Sequence, residues 1–230
     1  MPAFPVLNTD EVVQVGDKFR LDATGCFAAG GASIQTVEIQ PEGTGSWIDV
    51  TSDKYLDWVF TTAGAKTATV RVTDDSSAQT TATASITALS EADDKLFSTD
   101  AKLKQHQSDI HKFLPECRSS FRFQHRRAQT LMLDWLAKEG YTDSLGERIT
   151  KDAMVVNEDV ESWATFTCLK LIFEDASNAT DDVFAAKAKT YDGLAKAARD
   201  RSVLSLDEDG DGVAEVQEGI NTRGATVVRR

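Results

Sequence analysis

The amino-acid sequence predicts a multi-domain protein that is all-β in its first part and all-α in its second. Up to about residue 90, short runs rich in Val, Ile and Thr alternate apolar with polar residues, the period of strands with one buried face. Beyond it, apolar residues recur at every third or fourth position, the period of amphipathic helices. Because these periods need different cores, we predict a β-sandwich at residues 1–90, a helical domain at 95–206, and an acidic loop with an extended C-terminal tail at 207–230.

The first part contains about seven short alternating runs, a number typical of an antiparallel sandwich of this length. They lie at residues 12–15, 19–23, 37–39, 47–50, 56–60, 68–73 and 81–87. Residues that favour turns, such as Gly30-Gly31 and the segment 41–45, separate the runs.

The second part contains about four helical segments with short connections, as in a small bundle. The first starts near Ser98 or Thr99 and stops at Pro115. The second has an apolar stripe over residues 121–136 that includes Leu131, and it ends near Gly140. The third and fourth begin with capping residues and run over residues 157–173 and 180–198.

The chain has 37 acidic and 25 basic residues, which give a net charge of −12. This balance argues against a protein that binds nucleic acid, because such proteins need a basic face to displace counterions from phosphates. It also argues against an anionic membrane surface as a partner. Apolar runs stay shorter than the ~18 residues of a membrane span, and the first residues do not resemble a secretory signal.

Enzymatic activity is not expected from the sequence. The spacing of His106, His111 and His125 does not place a metal-binding pair on one helix face. The sequence has no Gly-rich phosphate loop, nucleophile elbow or zinc-protease motif. We therefore predict no catalytic residue.

One segment matches a calcium-binding pattern. Residues 207–218 fit the EF-hand loop D-x-D-x-D-G-x5-E, whose oxygens suit a hard cation. The predicted ligands are the carboxylates of Asp207, Asp209 and Asp211, the Val213 carbonyl, a water held by Glu215, and bidentate Glu218. The alternative is a solvated acidic turn, since EF-hands usually occur in pairs and Ala214 replaces the usual bulky aliphatic residue.

The first part resembles PKD and bacterial Ig-like modules. The segments that carry the resemblance are residues 16–25, 58–60 with 63–64, and 67–74. The resemblance covers nearly all of residues 10–89 and implies an Ig-like β-sandwich. Modules of this kind mostly serve for display, as spacers or for adhesion. This resemblance therefore indicates a fold more than a function.

The helical part resembles the head–tail connector, or adaptor, proteins of tailed bacteriophages. Three stretches within residues 94–218 carry this resemblance: residues 96–103 leading to 110–115, the Arg-rich helix 125–136, and residues 163–173 with 187–191 and 203–212. The resemblance lies in layout rather than in a catalytic signature. The added Ig-like module departs from a minimal connector.

The connector resemblance implies a homo-oligomeric ring, often of 12 copies, beneath the portal in the virion neck. Its partners would be the portal and other neck and tail proteins, with assembly in the host cytoplasm and no membrane. DNA would pass through the lumen without specific binding, and an acidic wall suits this because it repels phosphates.

Two groups of residues are candidates for protein interfaces. Arg118, Arg122, Arg126 and Arg127 lie in the basic helical region, where the alternative is a solvated helix surface. The tail residues Val227, Val228, Arg229 and Arg230 could pair with a neighbour's sheet edge or dock on the portal, and the alternative is a frayed terminus.

A different class of function also fits the sequence. An Ig-like module with an acidic calcium loop is typical of extracellular calcium-binding adhesion proteins or of accessory modules of carbohydrate enzymes. Dockerin-like modules, however, carry two such loops, and only one is found here.

Overall fold

The structure, a computed structural model, describes residues 3–90, 93–143, 145–177 and 182–207, and the backbone of 219–221. The chain divides into two compact units. Unit 1 comprises Met1–Asp94 and Pro115–Ser120, and unit 2 comprises Lys95–Leu114 and Phe121–Arg230. The predicted class, an Ig-like β-sandwich followed by helices, is confirmed by the strands of the first part and the four α-helices of the second.

The described part of unit 1 contains nine strands, two more than the alternation predicts. They are β1 (Ala3–Phe4), β2 (Val12–Gln14), β3 (Lys18–Asp22), β4 (Phe27–Ala28), β5 (Ile34–Gln40), β6 (Ile48–Asp49), β7 (Tyr55–Val59), β8 (Gly64–Asp74) and β9 (Gln79–Leu89). The additional strands, β1 and β4, have two residues each and form a ribbon, so they are too short to show a period.

The strands form one large sheet and two ribbons. The large sheet has the order β2-β9-β8-β5-β6, and β3 pairs with β7 in a ribbon. The pair β2–β9 is parallel, and the other pairs of the large sheet are antiparallel. The β3–β7 ribbon and the large sheet bury their inner faces in one core, to which Phe19, Leu21, Ile39, Val70 and Ile86 belong. This shared core is what makes the unit a sandwich.

The segment Pro115–Ser120 packs with the strands of unit 1 rather than with the helices. Arg118 makes a bidentate ion pair with Asp10, in which Nη2 lies 2.9 Å from Oδ1. The Lys18 amide donates to Ser119 Oγ at 2.9 Å, and Ser120 Oγ donates to Asp17 at 2.9 Å. Periodicity alone cannot reveal this placement, because it depends on charge pairs between residues about 100 positions apart.

Unit 2 contains four α-helices in its described part. They are α1 (Asp100–His106), α2 (Arg122–Lys138), α3 (Glu158–Ala176) and α4 (Val183–Arg201). Thr99, Asn157 and Asp182 cap α1, α3 and α4 by accepting hydrogen bonds from main-chain N–H groups. The first helix is shorter than predicted, because α1 ends at His106 and a separate 3-10 turn, Ile110–Phe113, follows.

A small antiparallel sheet accompanies the helices. Its strands are β10 (Met154–Val155), β11 (Val203–Leu206) and β12 (Gly219–Asn221), in that order. The helical pattern of the second part did not predict this sheet.

Helix α3 forms the centre of unit 2. It buries residues on all sides, including Trp163, Cys168 and Phe173, and it contributes to both apolar clusters of the unit. Burial raises the pKa of the Cys168 thiol well above its ordinary value, so this side chain behaves as an apolar core group. Among the described residues, no helix combines the length and apolar character that crossing a membrane requires.

An ion network between α3 and α4 makes unit 2 sensitive to pH. Asp192 lies 2.6 Å from Lys196 and 2.9 Å from Lys170, and the hydrogen bonds from these two lysines lower the pKa of its carboxyl. A lowered folded-state pKa adds stability above the unfolded pKa of about 3.9, and this contribution is lost as the pH falls through the folded-state value.

Asp192→Asn is therefore expected to lower the free energy of unfolding by up to about 1 kcal/mol at pH 7. The difference from the wild type should shrink as the pH falls below about 3.9. Urea titrations followed by circular dichroism at several pH values measure this, with Asp200→Asn on the same helix as the control. A difference that does not change with pH would contradict the assignment.

Candidate assembly surface

The structure places the four candidate arginines in different surroundings. Arg118 precedes α2 and is paired with Asp10 in unit 1. Arg122 and Arg126 lie on α2 and are half-buried. Arg127 is exposed on α2, and its guanidinium lies 3.2 Å from Asp175 of α3. The four residues therefore differ in element, exposure and partner.

Helix α2 has an exposed strip of mixed apolar and basic character. Phe123, Arg127 and Leu131 are spaced four residues apart, so their side chains lie on one helix face. Phe123 is 42% exposed and Leu131 is 45% exposed. Single exposed apolar residues are common, so what distinguishes these two is their place on one helix face. We call Phe123, Arg127 and Leu131 the α2 strip.

The α2 strip corrects one detail of the predicted apolar stripe. Residues of that stripe such as Ala128, Met132 and Leu136 are buried, but Leu131 points away from them to solvent. A turn of 3.6 residues places Leu131 about 40° from Arg127 and about 100° from the buried Met132. The exposure of Leu131 could therefore have been predicted from the sequence, because the helical angle between Leu131 and Met132 places them on different faces.

The candidate calcium loop lies mostly outside the described residues. Asp207 is described, is 8% exposed, and donates its main-chain N–H to the Ala153 carbonyl at 2.8 Å. This bond follows directly after the pairing of β10 with β11 and holds the start of the loop beside β10. The other predicted ligands, Asp209, Asp211, Val213, Glu215 and Glu218, fall in the part that is not described, as do the tail residues Val227, Val228, Arg229 and Arg230.

A buried polar cluster joins the starts of α1 and α2. His125 Nδ1 lies 2.6 Å from Ser98 Oγ, and His125 Nε2 lies 3.0 Å from Asp100 Oδ1. Asp100 also accepts the main-chain N–H of Phe121 at 3.3 Å, just before α2 begins. His125 itself is 3% exposed.

The residue types of this cluster are those of a Ser-His-Asp hydrolase triad, but its burial suits a structural role. Ser98 is 2% exposed, so its hydroxyl is closed off from a carbonyl substrate in solution. Nε2 faces the Asp100 carboxylate and Nδ1 faces the Ser98 hydroxyl, so each of these groups has a partner within the fold. The arrangement holds the two helix starts together.

Comparison with known proteins gives partial likenesses to β-sandwich domains. A structure of carbohydrate-binding modules from the β-sandwich superfamily is 15% identical over 40% of this chain, with a TM-score of 0.36, and the chain spans 36% of that structure. The PKD1 domain of Vibrio anguillarum Epp is 16% identical over 38% of this chain and 94% of its own length, with a TM-score of 0.32. The PKD1 domain of the Vibrio cholerae metalloprotease PrtV is 21% identical over 36% and 95%, with a TM-score of 0.29. Neither a family model nor a curated protein matches the chain.

Proposed function

We propose that the protein is a structural subunit that assembles into a ring, as a head–tail connector of a tailed bacteriophage. The observation that supports this proposal is the α2 strip, where Phe123 and Leu131 expose apolar surface on either side of Arg127. Exposed apolar side chains grouped on one helix face are typical of protein contact surfaces.

The charge of the chain favours a second copy as the occupant of the α2 strip. The chain carries −12 overall, whereas the strip has a basic residue at its centre. An acidic surface of a neighbouring copy would complement Arg127 and would steer the two copies together. A contact between two different surfaces is heterologous, and heterologous contacts form a ring when the rotation from one copy to the next closes.

The same charge suits the proposed passage of DNA. Many copies of a chain with a net charge of −12 would line a lumen with negative potential. Such a wall repels phosphates, so DNA would pass without being held. The proposed passage of DNA depends on the formation of the ring. The portal and the other neck partners are those that the resemblance of the sequence to connector proteins implies.

The assembly is tested by the size of the protein in solution. We expect ring-shaped particles in negative-stain microscopy and a matching mass in light scattering. Leu131→Glu should dissociate them, because it places a charge in an apolar contact and opposes the acidic neighbour. Val183→Glu is the matched control, since Val183 is an exposed apolar residue (69%) on a different helix, α4.

Three outcomes would count against the proposal. If the wild-type protein is a monomer in solution, the proposed ring does not exist. If that monomer binds glycans, the alternative function as an accessory module is favoured. Equal dissociation by Leu131→Glu and Val183→Glu would show that the α2 strip is not the contact. Binding of purified rings to a phage portal protein would then test the position in the neck.

A further inference from the structure

The outer edge of β9 is open over much of its length. β9 lies between β8 and β2 in the large sheet, but β2 pairs only with Thr87–Leu89. Within the described residues, no strand pairs with this edge over Thr81–Ser85. We call Thr81–Ser85 the β9 edge.

The main-chain groups that face outward at the β9 edge can be identified. The Thr87 amide donates to the Glu11 carbonyl at 2.8 Å, and the Leu89 carbonyl accepts from the Val15 amide at 3.0 Å, so both residues face the β2 side. Strand residues alternate, and the β8–β9 register runs from Thr73↔Gln79 to Gly64↔Ala88 without a shift. The N–H and C=O groups of Thr81, Thr83 and Ser85 therefore face the same open side.

The β9 edge lacks the features that usually protect a strand edge. Gln79–Leu89 contains no charged residue, proline or glycine, although 27% of the whole chain is charged. Natural proteins block open edges with charges, prolines or bulges, because an unblocked edge pairs with other strands. A groove of about 720 Å³ lies at the end of this edge, lined by Asn8, Glu11 and Ser85 among others.

We propose that residues 225–228 of a neighbouring copy add to the β9 edge as an extra strand. These residues, Ala-Thr-Val-Val, lie outside the described part; three of the four are β-branched, and four residues span most of the five-residue β9 edge. Main-chain hydrogen bonds to Thr81, Thr83 and Ser85 would supply affinity, as in other cases of strand addition. The contact joins different surfaces of two copies and is therefore compatible with a ring.

Charge favours this occupant over a segment from elsewhere in the chain. Residues 222–230 contain three arginines and no acidic residue. Since the whole chain has a net charge of −12, the other residues together have a net charge of −15. An antiparallel addition places Arg229 and Arg230 toward the β8–β9 turn, where Asp75 is exposed. The antiparallel ladder is also the more stable of the two arrangements per residue.

Cysteine cross-linking between separately purified full-length chains tests the proposal. One chain carries Thr83→Cys, and the other carries a single cysteine at position 225, 226, 227 or 228, all with Cys117→Ser. Neighbouring strands are about 4.8 Å apart and side chains alternate, so cross-links should form at two alternate positions. The two intervening positions should give about tenfold less product, because their side chains lie on the other face.

Thr69→Cys in place of Thr83→Cys is the matched control. Thr69 lies directly across from Thr83 on β8, so it is one strand further from the edge and should not cross-link. Equal cross-linking at all four positions, equal cross-linking to Thr69→Cys, or none at all would overturn the proposal. If rings form without the cross-links, this inference fails while the proposed assembly stands.

Discussion

Replacing Phe173 with alanine is expected to lower the free energy of unfolding of unit 2 by about 3–5 kcal/mol. Phe173 is fully buried on α3 and lies within one aromatic cluster. Its ring centroid is 5.2 Å from that of Phe113, 5.6 Å from that of Tyr191 and 6.3 Å from that of Phe184. Truncation removes these contacts and leaves a cavity that a helix with neighbours on all sides cannot close.

Urea unfolding followed at 222 nm measures this loss, because the helices lie in unit 2 and dominate the signal. Phe123→Ala is the matched control, since Phe123 is 42% exposed on α2 and its truncation should cost less than about 1 kcal/mol. The control should instead weaken assembly, because Phe123 belongs to the α2 strip. Similar losses of stability from both substitutions would contradict the placement of Phe173 at the centre.

Local chemistry explains why the helices and their starts could be predicted from the sequence. Asn157 accepts from the amides of Asp159 and Val160, and Asp182 accepts from that of Ala185. Such capping bonds involve residues two or three positions apart, so a short stretch of sequence contains all the information. The long strands β8 and β9 were predictable for the same reason, because alternation within each strand marks its buried face.

Features that depend on distant pairs were not predictable. Arg118 pairs with Asp10 in the segment Pro115–Ser120, which packs with strands, and nothing near Arg118 in the sequence indicates that partner. The sheet of β10, β11 and β12 was missed because strands of two to four residues show no period. From the sequence we predict an interface around the arginines of α2, whereas the structure shows that Phe123 and Leu131 are exposed beside Arg127.

The buried cluster around His125 is another feature that depends on distant residues and could not be predicted from the sequence. In the sequence, His125 stands beside two arginines. Its burial depends on Ser98 and Asp100, which lie 27 and 25 positions earlier and are brought to it by the fold. A polar residue at a buried position is explained only when its partners are known.

Replacing His125 with leucine is therefore expected to destabilise unit 2 by about 2–4 kcal/mol, although leucine is apolar and the site is buried. The substitution leaves the Ser98 hydroxyl, 2% exposed, without its imidazole partner. It also removes the Nε2–H donor to Asp100, which still has to accept the Phe121 amide at the start of α2. Buried polar groups without hydrogen-bond partners lower the free energy of unfolding by more than the added apolar contact of leucine raises it.

His111→Leu is the control, because His111 is exposed in the 3-10 turn and its replacement should change stability by less than about 0.5 kcal/mol. Combining His125→Leu with Ser98→Ala should recover part of the loss, since the orphaned hydroxyl is then absent. Urea titrations at 222 nm measure all three variants. If the double variant is no more stable than His125→Leu alone, the hydrogen bond between Ser98 and His125 does not stabilise the fold, and the cost of His125→Leu must come from the shape of the site.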